Sequence, residues 1–186
     1  MIDLFTIRAE AVGAECRVVA NRQQAIDVIV TALQEEGVED EQGRWAVWAD
    51  EGLLPPDERQ RVLSRAPGVR FDVTRDTAEQ ALAGISEMDW GVAQTGTLLS
   101  DSSSVRRRLA STLPPVHIAL LPVNRIVNDM ATALAQFDVR RCGYLAAITG
   151  PSRTADIERV LTIGVHGPRR LLILLIQEWS SGRAKE

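Results

Sequence analysis

The run LLILLI at residues 171–176 decides how this chain is expected to fold. Its residues are all apolar, which is typical of a strand buried on both faces, and the run is far shorter than the ~20 residues of a membrane span. The segment PPVHIALLP at residues 114–122 has the same character. Two continuous apolar strands of this kind predict a parallel sheet that is covered by helices on both faces.

The rest of the chain alternates between strand-like and helix-like patterns. Three more strands are predicted at Arg44–Ala49, Val69–Thr74 and Cys142–Thr149. Helices are predicted over Asn21–Glu36, Pro55–Arg65, Asp76–Ile85, Ser104–Thr112 and Asn124–Phe137, and after Pro151. Residues 1–20 are expected to form a short helix plus an arm, and residues 180–186 a flexible tail. The pattern predicts one α/β domain over residues 1–186, with a mostly parallel sheet, helices on both faces and right-handed crossovers.

Composition limits the classes of protein and partner. The chain has 186 residues, 45% of them hydrophobic, which is enough for one sizeable core. A formal net charge of −4 argues against nucleic-acid binding, and the basic run Arg106–Arg108 is interpreted as a solvated helix face. The two cysteines, Cys16 and Cys142, have no CxxC spacing, which predicts no iron–sulfur cluster, zinc ribbon or disulfide framework in this chain. A cytoplasmic location is expected, since the N-terminus also lacks the pattern of a signal peptide.

Three polar segments are candidate ligand loops, because the loops of a parallel sheet commonly bind ligands. The first two follow apolar strands that are predicted to end at Ala93 and Thr149, and the third lies at the entrance to the strand at residues 171–176. The first segment is QTGT, Gln94–Thr97. Gly96 permits a positive φ, and Thr95 and Thr97 offer hydroxyl groups to a ligand. The alternative is a hairpin or bulge in which these hydroxyls satisfy local backbone groups.

The second polar segment is TGPSRTADIE at residues 149–158. If a helix begins here, Ser152 or Thr154 caps it, its first-turn N–H groups attract an anion, and Arg153 adds a bidentate donor. The alternative is that the two acidic residues of the segment stabilise the same helix end without any ligand.

The third polar segment, GVHGP at residues 164–168, contains one of the two histidines. His166 is the candidate general acid–base, with a ligand hydrogen-bond donor or a packed loop residue as the alternatives. His117 lies inside a predicted strand and is expected to be a core histidine with satisfied hydrogen bonds. The sequence contains no GxGxxG, Walker A or HExxH motif, so it predicts no complete catalytic constellation and no metal site. The acid–base candidates besides His166 are Asp50, Glu51, Asp101 and Asp156.

The segments LPPVH, TGPSRTADIE and GVHGP, in this order, resemble the LUD domain of the lactate utilisation protein C family. The resemblance is densest over Asp89–Ile176, about half of the chain. It implies the fold group that contains ribose-5-phosphate isomerase, glucosamine-6-phosphate deaminase and the coenzyme A transferases. It also implies a role in oxidising L-lactate to pyruvate, in which partner subunits carry the iron–sulfur clusters and this chain carries no cofactor.

One position departs from the family pattern. The family usually has Glu-Thr-Gly-Thr where this chain has Gln94 followed by Thr95, Gly96 and Thr97. Glutamine keeps the shape and a carbonyl acceptor but loses the charge, so Gln94 is not expected to act as a base or nucleophile.

The resemblance favours one shared pocket over three independent turns. We therefore predict a site for a small carboxylate or phosphate, lined by Thr95, Gly96, Thr97, Ser152, Arg153, Thr154 and His166. Two other functions stay open: a stand-alone enzyme that acts on a small phosphorylated or carboxylated metabolite, and an assembly protein that uses only its surface. The candidate anchors of such a surface are Trp45, Trp48, Trp90 and Trp179, although their strand-like surroundings favour core packing.

Overall fold

The structure, a computed structural model, describes residues 1–50, 54–138, 140–155, 161–163 and 167–179. The helices are α1 (Ile2–Ala11), α2 (Arg22–Glu35), α3 (Pro56–Arg65), α4 (Arg75–Glu79), α5 (Val105–Thr112) and α6 (Met130–Leu134), with a 3-10 turn at Val123–Arg125. The strands are β1 (Glu15–Asn21), β2 (Ala46–Ala49), β3 (Val69–Arg70), β4 (Ala83–Glu87), β5 (Trp90–Val92), β6 (Thr97–Asp101), β7 (Val116–Pro122), β8 (Ile126–Val127), β9 (Leu145–Ile148), β10 (Arg153–Ala155), β11 (Leu161–Ile163) and β12 (Arg170–Glu178).

A central sheet of six parallel strands organises the chain, in the order β1-β12-β7-β4-β2-β3. The two apolar runs form its inner strands β12 and β7, which pair with Leu171 opposite His117. Residues 171–176 are each at most 1% exposed, and β7 is buried along its whole length. The prediction of a buried parallel sheet from these runs is confirmed.

Helices cover both faces of the central sheet. Successive side chains of a strand point to opposite faces, so the even-numbered residues of 171–176 pack under α2 and α3, and the odd-numbered residues pack under α1. α4 and α5 cover the same face as α1, above β2 and β4. At Gly84 of β4 the backbone of α5 approaches so closely that a Cβ atom would collide with the Ala110 carbonyl oxygen. The α/β class with helices on both faces is confirmed.

A second sheet of four strands, in the order β8-β5-β6-β9, lies on the face that α1 covers. β5 and β9 both run antiparallel to β6, and β5 runs parallel to β8. β9 corresponds to the strand predicted at Cys142–Thr149, but its residues alternate between exposed and half-buried. It is therefore the edge strand of this second sheet and not a buried strand of the central one.

Three other sequence predictions are corrected by the structure. The N-terminal arm is strand β1, which pairs with β12 at the edge of the central sheet. The helix predicted over Asp76–Ile85 ends at Glu79, because Leu82 already donates its backbone N–H to Trp45 and β4 follows. Of the helix predicted over Asn124–Phe137, only α6 is α-helical in the structure. It begins after Asp129, which caps it by accepting a hydrogen bond from the Thr132 backbone N–H.

The helix predicted after Pro151 is also wrong where the structure describes that segment. β10 pairs antiparallel with β11, so residues 153–155 are extended. Threonine and isoleucine in the paired stretch favour a strand over a helix. Residues 156–160 and 164–166, and the predicted tail at 180–186, lie outside the described residues. Within the described ranges, no helix is both long and apolar enough to cross a bilayer.

Candidate functional site

A pocket of about 380 Å³ lies between the two sheets and is called the β9 pocket below. One wall is β9 with its flanking residues 144 and 149–152, and the opposite wall is the last turn of α5. The paired residues His117 and Leu171, on β7 and β12, contribute the central-sheet side, and Gly167 and Pro168 close the rim. Among the described lining residues there is no aspartate or glutamate.

The α5 wall carries a cation and two hydroxyls. Arg108, Ser111 and Thr112 stand three and four residues apart, which places all three on one face of the helix. The Arg108 guanidinium lies 5.2 Å from the centre of the Tyr144 ring and donates from Nη1 to the Ser102 carbonyl oxygen at 2.6 Å. The Ser111 and Thr112 hydroxyls donate to the Arg108 carbonyl oxygen. Arg108 is therefore held at the pocket, and its Nε and Nη2 have no hydrogen-bond acceptor among the described residues.

The basic run at residues 106–108 is not the solvated helix face that was predicted. Arg107 is only 4% exposed and donates from Nη1 to Asp89 Oδ2 at 2.8 Å. Arg106 is exposed, but it donates to the Phe71 carbonyl oxygen and Arg108 turns toward the pocket. Each step along a helix rotates the side chain by about 100°, so three successive arginines point in three directions.

His117 is buried, with 1% of its surface exposed, and its Nε2 lies 2.9 Å from the Ser86 hydroxyl oxygen. Burial lowers the pKa of His117 to about 4, so the imidazole is neutral near pH 7. Its Nδ1 has no hydrogen-bond partner among the described residues. The expectation of a core histidine is confirmed for its burial, but only one of its two ring nitrogens is satisfied.

The QTGT segment forms the turn between β5 and β6, outside the pocket lining. The Thr95 and Thr97 hydroxyl oxygens lie 2.7 Å apart, and that of Thr97 lies 2.9 Å from the Thr149 hydroxyl, which does line the pocket. Gly96 has a φ of 66°, and a Cβ atom there would collide with the Ala9 backbone of α1. Gln94 is exposed. Among the described residues, hydrogen bonds of the two threonine hydroxyls reach the pocket wall through Thr149.

Of the other predicted site residues, the structure places one in the β9 pocket and one outside it. Ser152 lines the β9 pocket, and its backbone N–H donates to the Pro168 carbonyl oxygen at 2.8 Å. Arg153 is exposed and donates from Nη2 to the Val12 carbonyl oxygen, 2.6 Å away, beyond the end of α1. Thr154 belongs to β10, and its side chain and the whole of His166 lie outside the described residues. The structure thus brings Ser152, but not Arg153, to the pocket.

The sequence reasoning missed the residues that give the pocket its chemistry: Arg108, Ser111, Thr112, His117 and Tyr144. A signal was present in RRRLASTLPPVH, where a cation and two hydroxyls share one helix face directly before a strand that contains a histidine. No group of His, Cys, Asp and Glu within the described part of the chain is arranged to hold a metal ion. The donors of the pocket suit an anion, because a guanidinium and an imidazole N–H can both donate to carboxylate or phosphate oxygens.

Sequence comparison identifies the class of protein. The model of the LUD domain family matches residues 2–176, so the chain belongs to the LUD domain family, and the resemblance read from the sequence is confirmed. The crystal structure of a DUF162 family protein from Deinococcus radiodurans shares the fold, with a TM-score of 0.65 over 94% of this chain and 95% of that one. At 20% sequence identity this likeness speaks for the fold alone.

Curated proteins with similar sequences show which members of the family the chain resembles. Lactate utilization protein C of Geobacillus kaustophilus is 35% identical over 109 residues, which are 55% of this chain and 45% of that protein. An uncharacterized protein of Neisseria meningitidis serogroup B is 40% identical over 97 residues, which are 50% of this chain and 42% of that protein. The matched part of the chain thus spans less than half the length of these two relatives.

Proposed function

We propose that this chain serves lactate utilisation as a cytoplasmic component without an iron–sulfur cluster of its own, and that it binds a small carboxylate in the β9 pocket. The relatives named lactate utilization protein C support the role in lactate utilisation. With only Cys16 and Cys142 in the chain, a cysteine-ligated cluster needs further ligands, so partner subunits carry the clusters in this proposal.

The main observation in favour of an anionic ligand is the charge balance of the β9 pocket. Its described lining residues include the Arg108 guanidinium and several hydroxyls, but no carboxylate. A bound carboxylate therefore meets the opposite charge of Arg108 and no like charge among the described lining residues. Hydrogen bonds to charged groups contribute about 1.5–3 kcal/mol each, so one guanidinium suffices to favour an anion over a neutral ligand.

The binding experiment titrates the purified chain with sodium L-lactate and sodium pyruvate and follows heat or NMR shifts. Arg108→Gln is expected to weaken binding by about 10-fold or more, the equivalent of one charge-assisted hydrogen bond. Arg106→Gln is the matched control, since it removes the same charge from the same helix at an exposed position outside the pocket. Absence of binding to the unmodified chain, or equal weakening by both variants, would refute the proposed site.

The physiological experiment deletes the gene and measures growth on L-lactate as the carbon source. Loss of growth, restored by the unmodified gene and by Arg106→Gln but not by Arg108→Gln, is the expected result. Co-purification of the tagged chain with proteins that contain iron–sulfur clusters tests the partner part of the proposal. Normal growth of the deletion strain on lactate would contradict the role itself.

A further inference from the structure

Among the described residues that line the β9 pocket, only His117 holds a buried side-chain atom without a hydrogen-bond partner. That atom is Nδ1, while Nε2 is already engaged by the Ser86 hydroxyl at 2.9 Å. A buried polar atom without a partner lowers stability, so its retention asks for an explanation. A ligand that supplies the missing partner is such an explanation.

Ser86 determines which kind of partner Nδ1 needs. Ser86 is buried, and the described residues offer its hydroxyl no hydrogen bond other than the one with His117. If Nε2 carried the ring proton, the serine proton and the Nδ1 lone pair would both lack a partner. If Nδ1 carries the ring proton, the serine hydroxyl donates to Nε2, and the Nδ1–H is the one donor without a partner. The second tautomer leaves fewer unsatisfied groups, so Nδ1 is an N–H donor.

We propose that His117 recognises the bound anion: its Nδ1–H, held in that tautomer by Ser86, donates a hydrogen bond to a carboxylate oxygen of the molecule whose charge Arg108 balances. The inference rests on the proposed function, because it assigns a donor to the same ligand in the same pocket. His117 is then a specificity-determining residue and not a packing residue.

Access to Nδ1 requires a small movement of the pocket wall, since almost none of its surface is open to solvent. We expect β9 to move, because among the described strands it pairs only with β6, at the edge of the second sheet. The central-sheet side cannot yield in the same way, since β7 lies between β12 and β4. Binding is therefore expected to shift β9 and to leave the central sheet unchanged.

The donor set also selects the kind of carboxylate. Arg108 is the only cationic side chain among the described lining residues, and Leu145, Ile148, Pro151 and Leu171 give the pocket an apolar part. A second carboxylate on the ligand would find no counter-charge among these lining residues, and its desolvation would cost free energy. We therefore expect the pocket to prefer a short monocarboxylate with an apolar group, so that L-lactate binds more tightly than L-malate.

The first experiment reads the tautomer directly by NMR of the chain labelled with 15N in histidine. Only His117 and His166 give side-chain signals, and His166→Gln assigns them. The expected spectrum of His117 has the proton on Nδ1 at neutral pH, and sodium L-lactate shifts the Nδ1 resonance. A proton on Nε2 in the ligand-free protein would overturn the inference.

The second experiment compares two amide substitutions in lactate and malate titrations. His117→Asn places an amide NH₂ where Nδ1 lies, and His117→Gln places its amide where Nε2 lies and keeps only the contact with Ser86. His117→Asn is expected to change the Kd for lactate by no more than about 3-fold. His117→Gln is expected to raise that Kd about 10-fold, the effect of losing one hydrogen bond to a charged group.

The outcomes separate this inference from the proposed function. Lactate binding that depends on Arg108 but is unaffected by glutamine at position 117, or equally weakened by both amides, defeats the role of His117 and leaves the pocket in place. Malate binding as tight as lactate binding defeats the selectivity. If the unmodified chain binds neither L-lactate nor pyruvate, the proposed function and this inference fail together.

Discussion

The two sheets of the molecule differ in how completely their strands are buried. In the central sheet, β12 and β7 are inaccessible along their apolar runs, and neighbours lie on both edges of each strand. In the second sheet, β9 has one neighbouring strand and alternates between exposed and half-buried residues. The central sheet provides His117 on a buried strand and the second sheet provides the β9 wall, so the pocket forms where a fully buried strand meets a partly exposed one.

The largest expected effect comes from shortening a core side chain in the central sheet. Leu174 is completely buried in β12, so Leu174→Ala is expected to lower the free energy of unfolding by about 3–5 kcal/mol. Leu145→Ala in β9 is the matched change in the second sheet, and it is expected to cost less than about 1 kcal/mol because Leu145 is exposed. Urea unfolding followed by circular dichroism measures both variants, and similar losses would remove the contrast between the sheets.

The same contrast explains what the sequence predicted and what it did not. Residues 171–176 and 114–122 are continuous apolar runs, which have few explanations other than buried strands. Residues 83–87 and 15–21 are short or mixed in character, and they become strands only because β2, β7 and β12 offer them hydrogen-bonding edges. Tertiary contacts of this kind leave no local pattern to read.

The candidate site was harder to predict than the fold for a related reason. Ser152 was identified because a loop after a predicted strand is a common ligand site, and it does line the β9 pocket. Arg108 was interpreted as solvated because three adjacent arginines give no indication of which one faces inward. The direction of the Arg108 side chain depends on where α5 packs. The predicted anion site at Arg153 required a helix there, but residues 153–155 form a strand paired with β11.

Acid is expected to weaken the two sheets in separate pH windows. The folded-state pKa of His117 is lowered to about 4 by burial, so unfolding takes up a proton between about pH 6.5 and 4. Stability is therefore full above pH 6.5, and about 3 kcal/mol is lost as pH falls to about 4. Asp101 of β6 has its pKa lowered by the Ser103 hydroxyl, so its contribution is lost only at lower pH, as its carboxylate becomes protonated.

The free energy of unfolding, measured from pH 7 to pH 3, shows over which pH range each contribution to stability is lost. His117→Asn is expected to abolish the slope between pH 6.5 and 4, since no titrating group remains at that position, whereas His166→Gln serves as the control for loss of a histidine. Persistence of the full slope in His117→Asn would show that another group titrates there. Replacing Asp101 by asparagine is expected to alter only the more acidic part of the curve.

The contact between the second sheet and α1 can be tested at Gly96. A Cβ atom at Gly96 would collide with the Ala9 backbone, and the positive φ adds backbone strain for any other residue. Gly96→Ala is therefore expected to lower the free energy of unfolding by about 2–3 kcal/mol. Gly43 also has a positive φ but has open space around it, so Gly43→Ala is expected to cost only about 1 kcal/mol of backbone strain. Equal losses in thermal unfolding would mean that α1 moves aside at no cost.

The smallest effect is expected at the surface ion pair that joins β1 to β12 at the edge of the central sheet. Arg170 donates to both carboxylate oxygens of Glu15, at 2.6 and 2.8 Å, and to Glu36 of the α2 end at 2.6 Å. Glu15 is about half exposed, so Glu15→Gln is expected to cost less than about 1 kcal/mol, and high salt is expected to reduce that difference further.

The sign of the pH dependence distinguishes this ion pair from the buried histidine. The hydrogen bonds from Arg170 lower the pKa of Glu15, so the stabilisation is present above the unfolded-state pKa near 4.5 and is lost as pH falls below it. Unfolding measurements at low and high salt, above and below that pH, should therefore show a salt-sensitive difference between Glu15→Gln and the unmodified chain only on the neutral side. A difference that survives high salt would mean that Glu15 holds β1 by packing and geometry, and that the edge of the central sheet is more rigid than an exposed ion pair can explain.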